Sequence, residues 1–125
     1  MEHNKDLSAQ HINKLCRDVS SGMISGITFK SLPGGTLSVF NPDDGYIYTD
    51  TDCYRQISPE CLRVDDVLEL ATPGALIGLW YNHALGTITV SLSHHTDSQN
   101  VARKYCKETQ QQGFFDCAAQ SFSPA

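Results

Sequence analysis

With 125 residues, 40% of them apolar and 18% charged, the chain is long enough to bury roughly two thirds of its unfolded surface and has the composition of a folded protein. Nine Lys and Arg against fourteen Asp and Glu, a net charge of −5, supply no clustered cations to neutralise phosphates, so nucleic acid is excluded as a partner. No apolar run approaches the ~20 residues of a membrane-spanning helix, and the polar start Met1-Glu2-His3-Asn4-Lys5-Asp6 has no apolar leader, which points to the cytoplasm.

The first element runs from Ser8 to Val19, where Ile12, Leu15, Cys16 and Val19 recur on one helical face, with Asp6 or Ser8 as cap and Ser20-Ser21-Gly22 as stop. Met23 to Phe29 and Thr36 to Phe40 read as a β-hairpin across Leu32-Pro33-Gly34-Gly35. After the turn signal Asn41-Pro42-Asp43-Asp44-Gly45, the run Tyr46-Ile47-Tyr48-Thr49 reads as a third strand that extends the hairpin into a meander. Asp50 to Ile57 fits either a loop or a strand end. Ser58-Pro59-Glu60 opens a second helix, with Cys61, Val64, Val67, Leu68 and Ala71 as its buried face and Thr72-Pro73-Gly74 as its end.

Ala75 to Tyr81 and Thr87 to Ser93 form a hairpin around Trp80. On its second strand Ile88, Val90 and Leu92 alternate with Thr87, Thr89, Ser91 and Ser93, which makes one face core and the other wet. Gly78 leaves room for a neighbouring aromatic or a packed helix. Thr96-Asp97-Ser98 then caps a third helix from about Gln99 to Gln111, with Val101, Ala102, Tyr105, Cys106 and Thr109 on its inner face. Phe114 to Cys117 is a last short strand before a polar tail. With no repeat and no long linker, residues 1–125 read as a single α+β domain with polar ends. It would have a mostly antiparallel sheet of about five strands and three helices packed mainly on one face.

Chemistry-bearing residues are sparse. The five cysteines, Cys16, Cys53, Cys61, Cys106 and Cys117, are odd in number and lack a Cys-x-x-Cys pair, as expected of reduced, mostly buried thiols. Cys61, beside a helix start, is the one candidate for a reactive thiol. Asp50-x-Asp52, with Asp43 and Asp44, does not match a calcium loop and reads as turn-capping aspartates. His94 and His95 point to opposite faces of a strand and cannot chelate one ion together, so no metal and no cofactor is expected. Neither a nucleophile elbow nor a phosphate-binding glycine loop is present.

The segment from Ile77-Gly78-Leu79-Trp80 through an alternating strand and a helix to Gly113-Phe114-Phe115-Asp116 resembles the C-terminal half of short uncharacterised phage and mobile-element proteins. Thr89 or Ser91 stands where those proteins carry an acidic residue. The resemblance spans residues 76–117 and implies no activity. The expected function is that of a small accessory protein of a mobile element or bacterium. It would bind a protein partner or a second copy of itself through Tyr46, Tyr48, Trp80 and Tyr81, since aromatic residues are enriched at interfaces. The alternative is a small-molecule-binding domain or minor enzyme with a pocket between sheet and helices that uses His83, His94, Asp97 or Cys61.

Overall fold

The computed structural model describes residues 7–125, with the side chains of 51–54 outside the described set. Asp6, the alternative cap, and the side chains of Asp52 and Cys53 therefore lie outside the described residues.

Helix α1 (Ala9–Ser20) is capped by Ser8, whose hydroxyl accepts from the His11 N–H at 3.1 Å, and it buries Ile12, Cys16 and Val19. Gly22, at φ +79°, takes the left-handed turn that ends it. Strands β1 (Gly26–Ser31) and β2 (Leu37–Val39) form the expected hairpin, and β3 spans Tyr46–Ile57. A 3-10 turn (Pro59–Cys61) and the short α2 (Val64–Leu68) follow. The hairpin β4 (Leu76–Asn82) and β5 (Thr87–Thr96), then α3 (Gln99–Glu108), β6 (Gly113–Asp116) and β7 (Ser121–Pro124) complete the chain.

The class is α+β and all strand pairings are antiparallel, but the sheet has seven strands rather than about five, in the order β2-β1-β4-β5-β3-β6-β7. The third strand does not continue a meander: its twelve residues cross to the ten of β5, and the ambiguous segment 50–57 is part of it. The polar tail supplies β7, where Ser121 to Pro124 pair with Asp116 to Gly113. An edge strand tolerates a proline because one row of its amides pairs with nothing.

The second helix also differs from expectation. Leu62 and Arg63 are extended, which carries Leu62 into the core and splits the segment into the 3-10 turn and α2. The Asp66 carboxylate restarts the helix by accepting from the Arg63 N–H at 2.8 Å. Of its expected inner face only Val67 is fully buried; Leu68 and Cys61 are exposed.

Strand register separates the two faces of the sheet. Phe29 faces Ile77, Leu79 faces Val90 and Tyr81 faces Ile88, and these residues join Ile12, Cys16, Val19 and Val67 in the main core beneath α1 and α2. Farther along the same face, Tyr46, Tyr48 and Phe114 pack with Ala102 and Cys106 of α3. The helices therefore share one face. The other face is concave, because Trp80 of β4 stacks on Phe122 of β7, with ring centroids 5.4 Å apart, although three strands lie between them in the sheet.

Candidate functional site: the concave face of the sheet

The residues that alternate with the core set face inward across the curl. On β5 they are Thr89, Ser91 and Ser93, and on β4 they are Gly78 and Trp80. Two glycines hold this floor open. A Cβ on Gly78 would lie 2.7 Å from the Ser93 Oγ, and one on Gly26 would lie 2.8 Å from the Leu79 carbonyl and 2.9 Å from the Trp80 Cβ. Gly26 thus lets its cross-strand partner Trp80 lie close to the neighbouring backbone.

Strand β3 contributes to the floor at both ends by changing phase. Its pairing with β5 slips between Thr49, opposite Ser93, and Tyr54, opposite Ser91. This bulge puts odd-numbered Ile47 and Thr49 and even-numbered Gln56 on the same inner face. Gln56 fixes that end, its Oε1 accepting from Thr87 Oγ1 at 2.6 Å and Thr89 Oγ1 at 3.1 Å. At the other end Gln111 donates through Nε2 to the Thr49 carbonyl at 2.8 Å and to Thr109 Oγ1 at 3.0 Å. The turn before β7 approaches the opposite edge of the sheet, where Gln120 Nε2 donates to Asn41 Oδ1 at 3.3 Å.

The cavity, a half-open groove, has a volume of about 710 Å³, within the range of small-molecule sites. Its described lining contains no Asp, Glu, Lys, Arg, His or Cys. Carboxamides, hydroxyls and the rings of Phe40, Trp80, Phe115 and Phe122 make up most of it. Tyr48 lines it through the strand, but its ring packs on the helix side, 4.8 Å from Tyr105 and 5.3 Å from His94. Burial above all, then Tyr105, Cys106 and Asp50, push its hydroxyl above the usual tyrosine range. Val39, Leu85 and Phe122 form an exposed apolar rim.

The six residues singled out from the sequence fall in three places. Trp80 is in the cavity. Tyr81 is on the helix side, its ring 4.8 Å from that of His83 at the tip of the β4–β5 turn. Tyr46 packs edge-on to Phe114, while Tyr48 and His94 meet under α3, where His94 Nε2 lies 2.9 Å from Asp50 Oδ2. His83 and His94 do not converge: seven residues of strand separate Thr87 from His94, a span of ~23 Å. His95 turns to the other face, meets Phe40 edge-on at 5.4 Å and binds the Asp44 carbonyl at 3.0 Å. Among the described residues no three His, Cys, Asp or Glu gather to hold a metal ion.

Sequence reasoning passed over Gln56, Thr49, Phe115 and Phe122. The signal that pointed toward them was the hydroxyl row of β5 beside a glycine in mid-strand. Cys16, Cys106 and Cys117 are buried, and burial holds each thiol above its ordinary range, Cys16 at about 11 with the Asp66 charge adding to the effect. None of them reaches the cavity. No family model, curated protein or solved structure matches this chain.

Proposed function

We propose that the protein is a binding module that holds an uncharged ligand in the concave cavity and performs no chemistry on it. The observation that carries this reading is the described lining, which is rich in amides and hydroxyls and has no carboxylate, imidazole, thiol or amine. General acid–base catalysis needs a group that exchanges a proton near neutral pH within hydrogen-bond reach of the substrate. A charged ligand would lose its hydration there with no opposite charge to replace it. In amide-resolved NMR titrations, small neutral fragments should shift the amides of Gly78, Ser91 and Ser93 and the Trp80 indole, and their anionic analogues should not. Shifts confined to other surfaces, or equal responses to both sets, would overturn the reading.

A protein partner or a second copy of the chain is the other reading, and the exposed rim of Val39, Leu85 and Phe122 favours it. Light scattering across a concentration series tests it: a dimer that Leu85→Asp dissociates supports self-association. No described helix is long and apolar enough to cross a membrane. Free buried thiols support a reducing, cytoplasmic setting.

A further inference from the structure

We infer that the ligand is a neutral saccharide, an assignment that rests on the binding reading above and narrows it. Three observations converge on this class. First, Thr89, Ser91 and Ser93 lay a row of hydroxyls along the floor, and successive members of such a row stand ~6.8 Å apart. Thr89 and Ser91 are 4% and 2% exposed. Thr89 Oγ1 already donates to Gln56 and Ser93 is only half-buried, so Ser93 is the member of the row with surface left for a ligand. Sugar hydroxyls both donate and accept, as serine and threonine hydroxyls do.

Second, carboxamides stand in the lining, among them Gln56, Asn82 and Asn41, whose oxygens already accept bonds from within the protein. Their amide NH2 groups are donors that suit the oxygens of sugar hydroxyls. Third, Trp80 supplies a broad apolar ring in a lining that also carries Phe40, Ile47 and Phe115, and Phe122 already lies against it almost parallel, at 16°. The face of a pyranose that carries only C–H bonds is flat and apolar and fits such a ring. Phe122 is 43% exposed and belongs to a strand held by four residue pairs, so it is the group a sugar ring displaces from Trp80. The absence of cationic side chains from the described lining excludes uronates and sugar phosphates from the class.

Trp80 is the only tryptophan, so its fluorescence reports the site directly. The full chain is titrated with maltotriose, cellotriose and triacetylchitotriose, and in parallel with trigalacturonate and glucose 6-phosphate. At least one neutral trisaccharide should give a saturable spectral shift, with every anionic probe about tenfold weaker or silent, a difference of about 1.4 kcal/mol. Phe122→Ala, which bares the Trp80 ring, should tighten binding severalfold, and Gln56→Ala should weaken it about tenfold. Silence of all three neutral sugars to their solubility limit would overturn the assignment, as would equal binding of the anions or a response that neither substitution alters. If the sugars are silent while neutral aromatic fragments still shift the Trp80 amide and indole signals, the binding reading survives and the saccharide assignment alone falls. If both are silent, both fall.

Discussion

The two faces of the sheet are built from alternate residues of the same strands, yet they differ in kind. The helix side of β4 and β5 carries Ile77, Leu79, Ile88 and Val90, none more than 1% exposed, whereas the concave side carries Gly78, Thr89, Ser91 and Ser93 around open volume. One side holds the fold together by burial, and the other sets small polar side chains beside the Trp80 ring. The division shows how a chain of this size keeps a cavity without forfeiting its core: the period of two lets each strand serve both.

Three measurements would break or sharpen that contrast. The largest effect is expected on the packed side. Phe29 is wholly buried between β2 and β4, so Phe29→Ala should lower unfolding free energy by about 3–5 kcal/mol in urea, whereas Ser93→Ala should change it by less than about 0.5 kcal/mol. Equal losses would erase the distinction between the faces.

Next comes the pH dependence contributed by the helix side. Burial raises the Cys16 thiol from 9.0 to about 11 in the folded chain, so the unfolded chain loses its proton first as pH rises. The stability contribution is therefore complete below pH 9 and is lost between about pH 9 and 11, amounting to about 3 kcal/mol. Denaturation at pH 8 and pH 10.5, with Cys16→Ala as the control that flattens this part of the slope, checks it.

The smallest effect tests the cavity floor. Gly26→Ala should cost about 1–3 kcal/mol, since the new methyl meets a strand carbonyl. Gly78→Ala should cost less, because it meets the Ser93 hydroxyl, which can rotate. Adding Ser93→Ala should recover most of the Gly78→Ala loss, with a coupling of about 0.5–1 kcal/mol in a double-mutant cycle. A strictly additive pair would mean that the floor is not packed as described.

Local pattern carried much of this architecture into view. The Ser8 cap, the Ile12–Cys16–Val19 face, the Pro33-Gly34-Gly35 reversal and the Trp80 hairpin are each written in residues adjacent in the chain, and each is present. What eluded a reading of the sequence depends on distant partners. Nothing in Tyr46 to Ile57 reveals that β5, some forty residues on, is its neighbour, and nothing in Ser121-Phe122-Ser123-Pro124 looks like a strand until β6 offers an edge. The second helix broke because burying Leu62 outweighed a good capping sequence, a tertiary effect on local propensity. The same holds for the site. Trp80 could be singled out, but its stacking partner lies forty-two positions away.

The slip in β3 has a consequence for how sequence change can reach the cavity. Upstream of it inner positions are odd-numbered, downstream they are even-numbered, and the two stretches are indexed independently. A one-residue deletion before the slip would exchange Ile47 and Thr49 for Tyr46 and Tyr48 on the inner surface while leaving Gln56 in place. The bulge thus acts as a joint between two reading phases of one strand, and insertions or deletions on one side of it can rewrite half of the lining without disturbing the other half.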